Sequence, residues 1–205
     1  MPQQYGGSSG GSVVLPLPYR NLLAPPSLAS LTVHGNTHVD STVSGDYLQL
    51  VAHAINGHNL ACYDTNLPAG DCTLTVGMIG NVSGNNWCSF GIHVRNSTNQ
   101  AARALLYLGQ NSGVQVMNYT NDTTAPTGIG GNTNLSLFAP CFFRCKKVGG
   151  TLTWTYSPDN VNYLLIKSDT SHTDISADKI GFCIDNYNSA LDTGITVIHY
   201  NLTTP

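Results

Sequence analysis

The chain has 205 residues, a formal net charge of −3, eight Lys and Arg, and eleven acidic residues, all of them Asp. Glu is a strong helix former, whereas the abundant Thr, Asn, Ser and Gly are weak ones, so the balance excludes a helical bundle and favours strands joined by turns. So few cations, with Arg144, Lys146 and Lys147 the densest patch, exclude a nucleic-acid binder that works through a basic stripe. The length accommodates one domain with a proper core.

Residues 1–27 differ from everything that follows. The start, MPQQYGGSSGGS, is polar and lacks a basic segment. The stretch after it, VVLPLPYRNLLAPP, is broken by four prolines and an Arg. It is neither the apolar region of a secretory signal nor a membrane helix, so we expect synthesis in a cytoplasm and no membrane partner. Such a Pro-studded run is extended and cannot form its own core. Its apolar residues Val13, Val14, Leu15, Leu17, Tyr19, Leu22 and Leu23 are expected to dock on a partner chain.

From residue 28 the pattern has period two. Cys72, Leu74, Val76 and Met78 alternate with Thr73, Thr75 and Gly77, and Phe90, Ile92 and Val94 with Ser89, Gly91, His93 and Arg95. Leu152, Trp154 and Tyr156 alternate with threonines; Ile180, Phe182 and Ile184 with Gly181, Cys183 and Asp185; and Ile195, Val197 and His199 with Thr196, Ile198 and Tyr200. Each run predicts a half-buried strand, because successive side chains point to opposite faces. Trp154, mid-strand on an apolar face, is expected to be buried. The stretch Ala101–Leu108 reads equally well as helix or strand.

Turn signals stand between the runs at Ser44-Gly45, Asn56-Gly57, Asn85-Asn86, Gly149-Gly150, Ser157-Pro158-Asp159-Asn160 and Asn188-Ser189. The Ser-Pro-Asp-Asn stretch suits a type I turn leading into a strand around Val161–Lys167. Ten to twelve short strands predict an all-β protein with two stacked antiparallel sheets over residues 28–205.

The six cysteines, Cys62, Cys72, Cys88, Cys141, Cys145 and Cys183, include no Cys-x-x-Cys, so a zinc ribbon or redox motif has no support. Cys141 and Cys145 on one strand would be about 13 Å apart, too far to bond. The expectation is reduced thiols acting as small core side chains. Six Asn-x-Ser/Thr sequons occur, and in a chain this rich in Asn, Ser and Thr they are read as composition.

The order of segments resembles the concanavalin A-like (laminin G-like) jelly-roll domains of tailed-bacteriophage virion proteins. The resemblance is carried by LASLTVHGN at 28–36, STVSGDYLQLVAH at 41–53, WCSFGIHVRNSTNQ at 87–100, GVQVMNYTNDTT at 113–124, LTWTYSPDNVNYLLI at 152–166 and DKIGFCIDNYN at 178–188. It covers about residues 28–202. Related hairpins carry Gly and Trp where this chain has Asn160 and Tyr163. The resemblance implies a two-sheet jelly-roll sandwich on the surface of a virion. Its partners would be other virion proteins held through the arm and cell-surface carbohydrate, and by analogy it would be a homo-oligomer, a trimer. It leaves two settings open, a tail fibre or spike module that attaches to the host and a decoration protein that cements the capsid or tail.

Catalysis is not expected. Glucanases of this fold place two Glu at alternate positions of one strand, which sets the carboxyls about 5–5.5 Å apart. Here there is no Glu and no Asp-x-Asp. There is no Gly-x-Ser-x-Gly elbow either, and glycan hydrolysis is the remote alternative. The seven His, at 34, 38, 53, 58, 93, 172 and 199, are scattered, so hydrogen-bonded or surface His is expected, with no metal and no cofactor. Sugar sites on such sandwiches combine Asp, Asn and an aromatic ring on loops. Asp185, Asn186 and Tyr187, with Trp87 of Asn85-Asn86-Trp87, have that composition and are the candidate ligand-binding residues.

Overall fold

The computed structural model describes residues 26–35, 37–44, 47–54, 57–81, 87–109, 113–131, 140–187 and 192–205. The arm residues Val13, Val14, Leu15, Leu17, Tyr19, Leu22 and Leu23 lie outside the described residues. After a short 3-10 turn at Leu28–Ser30 the described chain forms fourteen strands. They are β1 (Thr32–His34), β2 (Val39–Ser44), β3 (Tyr47–Ala52), β4 (Leu60–Asn66), β5 (Cys72–Asn81), β6 (Trp87–Arg95) and β7 (Ala102–Leu108). Then come β8 (Gly113–Tyr119), β9 (Thr127–Gly131), β10 (Cys141–Val148), β11 (Thr151–Ser157), β12 (Leu164–Ser171), β13 (Lys179–Tyr187) and β14 (Thr193–Thr203). Ala101–Leu108 is therefore strand, and the strand count exceeds the ten to twelve expected.

All pairings are antiparallel, in two seven-stranded sheets. Sheet I has the order β1-β4-β13-β6-β7-β8-β9, and sheet II the order β12-β11-β10-β5-β14-β3-β2. This is the two-sheet antiparallel sandwich expected from the strand pattern, and the jelly roll that the resemblance implies. The main core fills the space between the sheets and is built from the alternate positions read in the sequence: Leu74, Val76 and Met78 of β5, Phe90, Ile92 and Val94 of β6, Ile180, Phe182 and Ile184 of β13. Trp154 is fully buried there, and its indole Nε1–H donates to Thr170 Oγ1 at 2.8 Å. All six cysteines are buried free thiols, and Cys62 and Cys183 stand directly opposite one another on β4 and β13.

Gly149, in a left-handed conformation at φ 56°, carries the tight β10–β11 hairpin. In the next hairpin Asp159 accepts from Ser157 Oγ and from the amides of Val161 and Asn162, which holds its carboxyl well below the ordinary carboxylate range. Strand β12 starts only at Leu164 because those bonds commit residues through Asn162 to the turn.

Sheet I departs from the half-buried expectation. Every described side chain from Cys88 to Arg95 and from Ile180 to Asn186 is buried, so β6 and β13 are covered on both faces. A second apolar cluster, including Leu60, Cys62, Ala104, Leu106, Met117 and Cys183, lies on the outer face of this sheet. Residues 120–126 reach across this face. This strap leaves β8, delivers the Asp122 carbonyl to the Leu60 amide at 2.9 Å and the Asp122 carboxylate to His34 Nε2 at 2.9 Å, and returns to pair with β8 as β9. Since β8 and β4 are separated by β13, β6 and β7, the strap crosses the whole face.

Tyr119 adds a measure of curvature. Its register partners run through Ala102 and Arg95 to Lys179, six residues from Asp185 on β13. On a flat sheet the two Cα atoms would lie about 24 Å apart. The Tyr119 hydroxyl nevertheless donates to Asp185 Oδ2 at 3.2 Å, so sheet I curls and its outer face is concave. Gly91 and Gly181 permit that approach: a Cβ at either would lie 2.0 Å from a backbone oxygen of the neighbouring strand.

Candidate functional site

The segment expected to be a sugar-binding loop is the end of a strand. Asp185 and Asn186 belong to β13 and are 1 % and 0 % exposed. Asp185 lies beneath His58, whose Nδ1 is 2.8 Å away, and also accepts from Tyr119 and from the Asn59 amide. Asn186 donates from its amide nitrogen to the carbonyls of Ala52 and His53, which ties β13 to the end of β3 in the other sheet. Both side chains are buried and engaged in internal bonds. Trp87 opens β6 directly opposite Tyr187; the side chains of both lie outside the described residues.

Around this end sit further His–Asp contacts. His53 is clamped between Asp40 at Nε2 and Asp192 at Nδ1, both at 3.0 Å. The bond to Asp40, followed by that to Asp192, raises the His53 pKa above the ordinary imidazole value. His38 is 7 % exposed, and neither ring nitrogen has a hydrogen-bond partner. Burial pulls its pKa below the ordinary value, the charge of Asp185 opposing and that of His53 adding to the effect. Among the described residues no group of three His, Cys or Asp side chains comes together to hold a metal ion.

Under the strap of sheet I lies a buried ionic triad. Arg95 Nε donates to Asp64 Oδ2 at 2.6 Å, and His93 Nε2 is 3.3 Å from the same oxygen, with both pairs almost wholly shielded from solvent. Burial pushes the Asp64 pKa up, but His93 and Arg95 together more than reverse it, so the carboxyl sits below its ordinary value. Burial also pulls His93 down, outweighing Asp64. The ion pair is thus Asp64–Arg95, with a neutral imidazole beside it.

The outer face of sheet II is built differently. Because Leu74, Val76, Phe143, Cys145, Leu152 and Trp154 point into the core, the intervening residues of β5, β10 and β11 point outward. Register aligns them in cross-strand rows. One row reads Thr155, Arg144, Thr75, Asn201 and the next Thr153, Lys146, Thr73, Thr203. Arg144 donates from Nε to Thr75 Oγ1 at 3.1 Å, and its guanidinium carbon stands 3.5 Å from the centre of the Tyr163 ring. The Tyr163 hydroxyl is anchored in turn to Asn160 Oδ1. The two residues that depart from the related hairpins therefore hold Arg144 in place. Lys146 is exposed, and beside it the Thr73–Thr203 end of the row opens into a shallow cleft of about 430 Å³ that also involves Asp71, Val148 and Pro205.

Sequence reading missed this face. Its signal was present: Arg144 and Lys146 lie two apart on a predicted strand, hence on one side, in register with strands whose outer positions are threonines. As a basic patch it is too small for nucleic acid.

No protein-family model matches the sequence, and no curated protein matches it. Among solved structures the fold is similar to the GH43 BlXynB protein from Bacillus licheniformis, at TM-score 0.65 and 12 % identity over 79 % of this chain and 34 % of that one. It is also similar to a legume lectin-like domain from Entamoeba histolytica, at TM-score 0.60 and 10 % identity, covering 87 % and 91 %. A third likeness is to the carbohydrate binding module CBM66 from Bacillus subtilis, at TM-score 0.57 and 7 % identity, covering 85 % and 96 %. At these identities the likenesses establish the concanavalin A-like jelly-roll sandwich.

Proposed function

We propose that the domain is a non-catalytic glycan-binding module of a phage virion, most at home on a tail fibre or spike, and that it meets its ligand with the outer face of sheet II. The observation that carries this reading is the contrast between used and unused polar groups. Each of the nine aspartates with a described side chain is committed to an internal bond, from Asp64 with Arg95 to Asp178 with Ser97. Meanwhile exposed Lys146, Asn201 and Thr203, partly exposed Arg144, Thr73 and Thr153, and the anchored Tyr163 ring offer cations, an amide, hydroxyls and an aromatic surface of the kind that sugars engage, with Thr75 buried beneath Arg144. The likeness to a lectin-like domain and to a carbohydrate-binding module agrees with this reading, and the likeness to a GH43 protein marks glycan hydrolysis as its competitor.

In the same reading residues 1–27 tether the domain to other virion proteins within a homotrimer. A glycan array tests the central claim: the protein retains a set of glycans that Tyr163→Ala loses at unchanged melting temperature. Release of reducing sugar from any bound glycan would move the assignment to a hydrolase. Electron microscopy of labelled virions locates the protein. A few tens of copies at the tail support adhesion, and hundreds over the shell support decoration. Deleting residues 1–24 is expected to abolish assembly.

A further inference from the structure

We infer that the ligand of this face is an anionic polysaccharide carrying carboxylates, a uronic-acid polymer. The inference rests on the proposed glycan-binding reading and adds the charge of the ligand and the two residues that select it.

The protein carries a net charge of −3 and has eight Lys and Arg. Most of those described are used internally. Arg95 pairs with Asp64, Arg103 bonds Asp174 and the Ser171 carbonyl, Lys147 donates to the carbonyls of Pro68, Ala69 and Gly70, and Lys179 donates to Asn66. Arg144 and Lys146 on the outer face of sheet II, and Lys167 on its edge strand β12, are the exceptions: among the described residues none of the three pairs with a carboxylate. Asp159, the acid that acts on Tyr163, is saturated by its own turn. Asp71, at the rim of the cleft by Lys146, accepts from the Gly149 amide.

An unpaired cation on an acidic protein is ordinary when it waves free. Arg144 does not. The Tyr163 ring covers one side of its guanidinium, and Nε is bound to Thr75, which leaves the remaining N–H groups aimed from a fixed fork. That geometry fits a carboxylate bidentately. Lys146 follows about 7 Å further along β10 on the same face, with Thr73 and Thr153 beside it for sugar hydroxyls. Two single cations on successive rows match singly charged groups repeated along a chain. A phosphate, doubly charged, draws several donors to one point, and among the described residues no such convergence exists on this face.

The test is isothermal titration of the full chain with polygalacturonate, dextran and poly-L-glutamate at low and physiological salt. The expected result is binding of polygalacturonate alone, weakened by salt, with Arg144→Gln losing about tenfold or more in affinity and Lys146→Gln losing less. Both variants are checked by thermal melting. Should Arg144→Gln melt early, exposed Lys146→Gln and Tyr163→Leu carry the test alone. Equal affinity for dextran overturns the inference while the glycan-binding reading stands. Equal affinity for poly-L-glutamate makes the contact one of charge only and overturns it. Variants that bind polygalacturonate as the wild type does also overturn it, because the site would lie elsewhere. Binding to none of the three, together with an empty glycan array, removes both the inference and the reading beneath it.

Discussion

The two outer faces of this sandwich have been put to opposite uses. On sheet I the face is concave, strapped by residues 120–126, and filled with cysteines, Met117, Tyr119 and the Asp64–Arg95 pair. On sheet II the rows of Thr73, Thr75, Thr153 and Thr155 stand outward around Arg144 and Lys146. The same backbone pattern, alternation on antiparallel strands, produces both. What separates them is whether a distant piece of chain returns to cover the outer positions. Polar residues on the covered face must find partners inside, since an unpartnered buried charge is costly. On the open face water reaches Lys146, Asn201 and Thr203 and part of Thr73, Thr153 and Arg144, which remain available to a ligand, while Thr75 is buried among them.

The largest expected effect breaks the covered face. Asp64→Ala leaves Arg95 and His93 buried without their shared acceptor, a change that costs about 3–5 kcal/mol when a buried ion pair loses one member. Urea unfolding measures it; a loss under about 1 kcal/mol would mean the face opens to water. Next is Asp185→Ala, which strips an acceptor from Tyr119, His58 and the Asn59 amide and is expected to cost about 1–3 kcal/mol. A ligand contact on an exposed loop would cost almost nothing, so this variant separates the structural role of Asp185 from the binding role its composition suggested.

The covered histidines add a pH signature. His93 and His38 have pKa values below the ordinary 6.5 in the folded state. As pH falls through 6.5 the unfolded chain takes up protons that the folded chain refuses, so stability declines with falling pH. His53 runs the other way, its raised value favouring the folded state at low pH, but its side chain is 43 % exposed and its two ion pairs are screened. The urea midpoint is therefore expected to be lower at pH 5.5 than at pH 7.5. His38→Leu, which removes two buried nitrogens without partners, should flatten that difference at no cost at pH 7.5. A steeper slope in this variant would show that His38 is protonated in the fold.

The fold was legible because its core obeys a local rule. Ile180, Phe182 and Ile184 declare one face by period two, and so do Leu152, Trp154 and Tyr156. The covered face was not legible, because Ser89, Gly91, His93 and Arg95 look like solvent positions and are buried on a face held by long-range contacts such as the Asp122 carbonyl with the Leu60 amide. Asp185-Asn186-Tyr187 carries the composition of a sugar loop, yet the ladder with β6 and β4 continues to Tyr187 on one side and Asp185 on the other. Arg144 was visible as a charge but not as a site, since Tyr163 reaches it from beyond the whole of β11 and the turns on either side of it.

The smallest expected effect on stability belongs to the open face. Thr73→Val with Thr153→Val keeps the shape and the β-branching that a strand favours. Neither hydroxyl is used to hold the fold, so the double variant is expected to unfold within about 0.5 kcal/mol of the wild type. If the face is a sugar platform, the same variant loses glycan binding, because the hydroxyls flanking Lys146 are gone while both cations remain. Stability unchanged and binding lost is the result that distinguishes a ligand surface from a merely solvated one. Binding unchanged would leave Arg144 and Lys146 as isolated charges. A loss of 2 kcal/mol or more on this scale of surface changes would instead show that these threonines are packed under a cover of their own, making the two faces of the sandwich alike.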